Sequence, residues 1–464
     1  MNSSPTIALL PLYMELYDRV LPGLRQELEP FVASVTDAIR SAGAQVESAP
    51  ICTTHSQIEA AFDTLRPADP DLLVTLHLTY SPSLEAVDAL CAAPWPILFF
   101  DTSPDAGFPR ETDPLRLLQN HGIHGVQDLA CMLRRRSRPY EIVAGHWSEA
   151  DVLQRVVGRA RAALAARTLR SMKALCIGGP LQGMGDFVVE KDILEKTLGI
   201  RSITMGTEGL APFIGRVTDA EIERERDLDL QRYRVEVDAA VHRRSLRAGL
   251  GLRRLLEEEG CGAFSLNFDA FQSDQPPVDT VPFLECCKAM ERGIGYAGEG
   301  DILTASFVGA LSRGLGGVSF AEMFCADWAG NSLFFSHMAE FNPRLAAEPP
   351  LLYEKDYSLS AARNPAALAM APREGPAVLA NLSPGPDHSF RVILAPVEIL
   401  GDGTHPDIKR WVRAWVRPPI PVAPFLEQYS LLGGSHHLAL LAGNRIEELT
   451  AFARMAGIES SIIQ

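Results

Sequence analysis

The chain has 464 residues, too many for a single hydrophobic core, and 47% of them are hydrophobic against 22% charged, the balance of a globular protein with ample apolar surface to bury. A formal charge of −15 at pH 7 argues against a broad phosphate-binding surface, because nucleic-acid affinity rests on clustered Lys and Arg. With no apolar span of 18 residues and no basic, apolar leader, the expectation is a soluble cytoplasmic protein that has neither a membrane nor a nucleic-acid partner.

From the start to about residue 166, short apolar runs at 7–12, 45–51, 72–76, 97–101 and 141–144 alternate with amphipathic stretches. That alternation predicts parallel βαβ units in an open, doubly wound, flavodoxin-like sheet. Ligands of such sheets gather at the carboxyl ends of the strands, where His77, the turn at 79–82 and Asp101 fall. The basic run Arg134, Arg135, Arg136 ends a predicted helix and complements its dipole.

A second α/β domain opens with a strand at 173–177, with further strand and helix signals at 194–200 and 264–267. Residues 219–259 read as a long helix of mixed charge, facing solvent with i,i+4 pairs or forming an oligomer contact. The segment GGPLQGMG at 178–185 does not set its glycines on GxGxxG, and Pro180 removes an amide donor, so it predicts a turn at the rim of the second sheet and no nucleotide loop.

Beyond Gly317 the chain turns β-rich and proline-punctuated, with short alternating runs at 378–382, 389–400, 408–416 and 428–432, then a helix at about 445–456 and a last strand near 458–463. The expected fold class is therefore α/β, with two doubly wound parallel-sheet domains at 1–166 and 167–317 and a C-terminal antiparallel β-barrel domain at 318–464 that carries the terminal helix. Eight cysteines without CxxC spacing, most of them in apolar stretches, read as reduced thiols.

The chemistry concentrates in three places: GYAGEGD at 295–301, FAEMFCADWAGNSLFFSHMAEFNP at 320–343, and GGSHH at 433–437. Glu299 sits between Gly298 and Gly300 at a predicted strand-to-helix junction, where the backbone can turn sharply and leave a carboxylate unshielded. Glu322 lies inside an apolar run, and burying a carboxylate there is costly unless it is paired, hydrogen-bonded or bound to a cation. His337 follows the apolar residues 333–335, and His436 and His437 follow a Gly-Gly-Ser turn. Any one of these groups alone reads as a capping, core or loop residue. Together, two carboxylates and two imidazoles with no thiolate make a mixed oxygen and nitrogen site suited to Mn²⁺ or Co²⁺ and tolerant of Mg²⁺ or Zn²⁺. Such an ion could chelate adjacent sugar oxygens, while one carboxylate takes a C2 proton and the other delivers a proton to the carbonyl oxygen.

With these residues the chain resembles the L-arabinose isomerases and, more distantly, the L-fucose isomerases, over nearly its whole length and most densely across 295–343. The resemblance implies that Glu299, Glu322, His337 and His437 are the metal ligands, with Mn²⁺ the usual ion, that Glu299 and Glu322 are also acid and base, and that His436 contacts substrate. It further implies that His124, in NHGIHG at 120–125, reaches the active site of a neighbouring subunit, that Phe268 forms an aromatic wall and that Met184 lines the pocket. A homo-oligomer, trimer or hexamer, with its active site at the subunit interface is implied as well. Two positions depart from the pattern: Met14, beside Glu15, stands where the family has a sugar-binding glutamine, and Met323 where it has an aspartate. The expected function is a metal-dependent aldose–ketose isomerase acting on a pentose, hexose or modified or deoxy sugar. An epimerase on the same metal site, or a non-catalytic sugar-binding or regulatory protein on the same scaffold, are the alternatives.

Overall fold

The computed structural model describes residues 4–464, the side chain of Leu115 excepted; the first three residues of the expected 1–166 domain lie outside the described residues. The chain divides into two compact units, one ending at Arg167 and one running from Thr168 to Gln464.

In the first unit, β1 (Thr6–Leu12), β2 (Gln45–Ser48), β3 (Leu72–His77), β4 (Ile97–Asp101) and β5 (Glu141–Ala144) form a parallel sheet in the order β2-β1-β3-β4-β5. This is the doubly wound flavodoxin-like order, and the central strands are apolar at nearly every position because helices cover both faces. Ala8, Leu10, Leu73 and Phe99 pack on one face with Phe62, Val126, Leu129 and Leu133. The last three share one side of the helix Gly122–Arg135, whose start absorbs the expected 120–125 loop, so that His124 is a helical residue. His77 ends β3 almost wholly buried, its ring stacked 5.8 Å from Phe99 and its Nδ1 2.7 Å from Ser81 Oγ.

In the second unit, β6 (Lys173–Ile177), β7 (Arg201–Met205), the two-residue β8 (Arg234–Val235), β9 (Ala263–Leu266) and β10 (Gly295–Gly298) follow in sequence. Four of them build a parallel sheet in the order β10-β9-β6-β7, which winds outward in both directions from the β6–β9 pair. The expected long helix at 219–259 is two helices, Asp219–Arg232 and Ala239–Glu259. The first begins at a Thr218–Glu221 capping box and the second is capped by Asp238. Nor is the charged surface of the pair wholly solvated. Asp229 and His242 are buried 2.9 Å apart, and Lys288 of helix Phe283–Arg292 reaches both Asp229 (2.5 Å) and Glu225 (2.8 Å). A buried ionic network carries the same residue types as a solvated face, so composition alone misreads it.

The remaining strands are β11 (Val318–Asp327), β12 (Ser332–Ser336), β13 (Leu351–Glu354), β14 (Ala366–Ala369), β15 (Gly375–Pro384), β16 (Phe390–Ile399), β17 (Ala414–Arg417), β18 (His437–Ala442) and β19 (Glu459–Ile462). Strands β15-β18-β11-β12-β17-β16 run antiparallel and close on themselves through β15–β16, giving the expected C-terminal barrel, while β19 joins β16 in parallel. Strands β13 and β14 pair with β8 in a separate small sheet.

Two expected strands are otherwise. The run at 408–416 is a 3₁₀ turn, Pro406–Arg410, before a strand that starts only at Ala414. The run at 428–432 is the end of a helix, Val422–Leu431, which buries Val422, Phe425 and Tyr429 at helical spacing. All eight cysteines are unpaired, with Cys131 and Cys325 exposed. No helix among the described residues is long and apolar enough to cross a membrane.

Burial of His77 drives its pKa down to about 3, only partly offset by the Asp128 charge. A depressed histidine pKa means that the unfolded chain binds the extra proton first, so this stability is complete above about pH 6.5 and is lost as pH falls toward 3. His77→Gln should flatten the decline measured by urea unfolding between pH 7 and pH 4, by up to about 1.4 kcal/mol per pH unit. Identical slopes for variant and parent would refute this account of His77.

Candidate active site

Glu299 leaves β10 at the carboxyl end of the second sheet, in a left-handed conformation with φ of +64° that a non-glycine residue adopts only under constraint. The constraint is visible on both sides. The Glu299 carbonyl accepts the Leu181 N–H at 2.8 Å, and the Gly300 N–H donates to Ser265 Oγ, also at 2.8 Å. Both flanking glycines are required. A Cβ on Gly298 would stand 2.7 Å from His337 Cε1, and one on Gly300, itself at φ +87°, would stand 2.5 Å from the Gly179 carbonyl oxygen. Asp301 then starts helix Ile302–Gly314 by accepting the Thr304 N–H at 2.8 Å.

The barrel supplies the facing groups by register. Glu322 on β11 lies opposite Ser336 of β12 on one side and opposite His437 of β18 on the other, and His337 is the residue after Ser336. A bulge between Met323 and Cys325 disturbs β11 just past Glu322, where the strand passes from buried to exposed. Phe320 underlies the cluster, its ring edge-on to His337 at 4.8 Å and to His437 at 4.9 Å.

Three imidazoles each have Nδ1 held by a carboxylate: His337 by Glu340 at 2.7 Å, His437 by Asp301 at 3.0 Å, and His436 by Asp186 at 2.6 Å. Their Nε2 atoms are thereby left for the cleft. His437 Nε2 and His436 Nε2 each stand 3.5 Å from Glu299 Oε2, and His337 Nε2 stands 3.7 Å from Glu322 Oε2. The donor atoms of Glu299, His436 and His437 lie within 4.8 Å of one another, as do those of Glu322, His337 and His437. Glu299 Oε2, His337 Nε2 and His437 Nε2 are buried and have no hydrogen-bond partner. Glu299 Oε2 falls in the first of these triads and His337 Nε2 in the second, with His437 common to both, and buried oxygen and nitrogen atoms left unpartnered are donors that a divalent cation would satisfy.

The electrostatics separate the two carboxylates. Burial pushes Glu299 up, but the nearby His436, His337 and His437 outweigh it and hold its pKa below the usual value. Burial dominates at Glu322 and raises its pKa despite the same three histidines. Glu340 is held down at about 2, because the His337 charge and hydrogen bonds from His337, Tyr296 and the Ala339 N–H overcome its complete burial. Burial lowers the His436 pKa, yet Glu299 and Asp186 lift it to about 9.

Of the residues singled out from the sequence, Glu299, Glu322, His337, His436 and His437 come together in this cleft. Phe268 follows β9, half-buried and edge-on to Tyr357 at 5.9 Å, and Met184 is half-buried in the segment after β6. Met14, Glu15 and His124 belong to the first unit, Met14 half-buried where helix Glu15–Val20 begins, Glu15 and His124 exposed. Sequence reasoning missed the carboxylates behind the rings. Glu340 was findable from its i,i+3 spacing to His337, and Asp301 from its position ahead of an apolar helix. Asp186 carries no local signal.

Comparison with known proteins gives the class. A Klebsiella pneumoniae (strain 342) protein named L-arabinose isomerase is 28% identical over 418 residues, 84% of this chain and 80% of its own length. A Yersinia enterocolitica protein of the same name is 29% identical over 436 residues, and one from Escherichia coli K12 is 26% identical over 436 residues; each alignment covers 89% of this chain and 85% of the relative. The chain is thus a sugar isomerase, an intramolecular oxidoreductase. Residues 18–171 match the L-arabinose isomerase N-terminal domain, 188–314 the central domain and 317–459 the C-terminal domain, so the chain belongs to the L-arabinose isomerase family.

The support network and the cleft groups should differ in their effect on stability. Glu340→Ala strands the Tyr296 hydroxyl, the Ala339 N–H and His337 Nδ1, at a cost of about 3–5 kcal/mol. Glu322→Gln removes a carboxylate that burial already disfavours, and should alter metal-free stability by less than about 1 kcal/mol. Urea unfolding of both variants in chelator checks this, and the reverse ranking would contradict it.

Proposed function

We propose that the chain is a cytoplasmic, divalent-metal-dependent aldose–ketose isomerase whose ion is held by Glu299, Glu322, His337 and His437. The observation that supports this reading is a pair of adjoining ligand triads, Glu299 with His436 and His437 and Glu322 with His337 and His437, which share His437 and include three buried, unpartnered atoms, Glu299 Oε2, His337 Nε2 and His437 Nε2. Mn²⁺ is the first candidate, and Co²⁺, Mg²⁺ or Zn²⁺ suit the same donors. When bound, the ion supplies Lewis-acid polarisation of adjacent sugar oxygens and offsets the charge that develops as C2 loses its proton.

The chain's own groups do the proton work. Glu299 and Glu322 form the acid–base pair, one taking the C2 proton and the other protonating the carbonyl oxygen. Return of the proton to C1 and loss of the O2 proton complete the conversion to a ketose, with atoms and electrons balanced. In this reading His436 contacts the sugar, Phe268 and Met184 line the pocket, and His124 of a neighbouring subunit reaches the substrate within a trimer or hexamer.

The named relatives act on L-arabinose, and an aldopentose is the natural starting point. By the family resemblance Met14, with Glu15 beside it, stands in place of a sugar-binding glutamine, and loss of that partner would leave a sugar hydroxyl unpaired at a cost of about 1–3 kcal/mol. Met323 packs onto the apolar cluster of the barrel. This favours a deoxy or otherwise modified pentose or hexose over L-arabinose itself.

The test is deuterium exchange. The Mn²⁺-loaded protein, incubated in D₂O with a panel of aldoses, should deuterate C1 or C2 of one sugar and form its ketose, as followed by NMR. Chelation should abolish the exchange and Mn²⁺ restore it, and Glu299→Gln or Glu322→Gln should lower the rate by about 10²–10⁴-fold. Exchange that survives in chelator, or in both variants, would sink the proposal; an aldose product would indicate an epimerase.

A further inference from the structure

Residues 178–190, which the sequence reads as a rim turn, leave β6 and run to the helical turn that begins at Lys191. This segment does more than turn. At one point its Leu181 N–H holds the Glu299 carbonyl, and further on Phe187 stacks on His437, with centroids 5.2 Å apart and planes 13° from parallel, and meets the His436 ring at 5.7 Å. Between these anchors Asp186 faces His436. A single carboxylate oxygen, Oδ2, accepts both the His436 backbone N–H at 3.0 Å and the His436 Nδ1–H at 2.6 Å.

Two bonds to one oxygen tie the main chain and the ring of His436 together. The ring cannot flip without losing the shorter bond, and a flip would put a carbon where Nε2 now stands, 3.5 Å from Glu299 Oε2. We propose that Asp186 is a positioning residue for the isomerisation, aiming His436 Nε2 at the sugar oxygen beside Glu299 that exchanges hydroxyl for carbonyl character. The ligand class is therefore an α-hydroxy carbonyl, and the inference rests on the reading of this cleft as the isomerase site.

Exposure separates this pair from the other two carboxylate–imidazole pairs. Asp301 and Glu340 are fully buried with their histidines, whereas the side chains of Asp186 and His436 keep 40% and 30% of their accessible surface. A pair this exposed contributes little to folding. What it contributes is orientation, and loss of an outer partner that orients a functional imidazole lowers activity by about 10–100-fold.

The experiment compares the Mn²⁺-loaded full chain with Asp186→Ala, Asp186→Asn and Glu299→Gln on whichever aldopentose or aldohexose the parent protein deuterates. Asp186→Ala should lower kcat about 10–100-fold, with Mn²⁺ affinity within about threefold of the parent and the urea unfolding midpoint unchanged. Asp186→Asn keeps an acceptor oxygen and should recover most of the loss. In the metal-free protein, the imidazole Nδ1–H resonance assigned to His436 by its absence in His436→Gln should disappear in Asp186→Ala and persist in Asp186→Asn. An unchanged kcat in Asp186→Ala, an Asn variant as slow as the Ala variant, or Mn²⁺ affinity falling in step with kcat would each overturn the inference. Activity surviving in Glu299→Gln would instead overturn the reading of the cleft on which it rests.

Discussion

Everything at this site depends on which ring nitrogen of each histidine is already taken. His337, His437 and His436 give Nδ1 to Glu340, Asp301 and Asp186, which turns each Nε2 to the cleft, as a lone pair where the ring is neutral and as an N–H on His436, whose pKa is lifted to about 9. That chemistry turns three flexible side chains into fixed donors facing two carboxylates. The buried partners are themselves fixed: Glu340 by the Tyr296 hydroxyl and the Ala339 N–H, Asp301 by its capping bond to Thr304. The orientation of each ring is thus set by the protein's own hydrogen bonds.

Two architectural rules bring the groups to one place. The parallel sheet delivers Glu299 from the carboxyl end of β10, the same side as the segment that leaves β6 near its switch point, which is where open α/β sheets hold their ligands. The barrel delivers Glu322 and His437 as directly opposed residues of β11 and β18, with His337 one step beyond the partner on β12. A one-residue slip in that register would turn the cleft side chains to the other face of the sheet. The extended pairing along these strands therefore protects the site as well as the fold.

Much of this was legible in the sequence. Strands such as 97–101 and 173–177 are apolar but for Asp101 at the end of one and Lys173 at the start of the other, and their bounds in the structure are the ones the pattern gives. Glycines around Glu299 and the apolar setting of Glu322 pointed to the cleft because each is a local anomaly. The rest depended on contacts that local pattern does not encode. Residues 428–432 look like a strand only when cut off from Val422 and Phe425, which complete the helical stripe. The charges of 219–259 look solvated until Lys288 is brought against Asp229. Asp186 lies 250 residues from His436, and no periodicity links them.

The central claim is that one cation is gripped jointly by Glu299, Glu322, His337 and His437. Anomalous diffraction from crystals soaked in Mn²⁺, recorded on both sides of the manganese absorption edge, tests it most directly. A single peak bonded to both carboxylates and to the Nε2 atoms of His337 and His437 is the expected result. Absence of any peak in the cleft at saturating Mn²⁺, or a peak bound elsewhere while those two Nε2 atoms stay unpaired, would contradict the account.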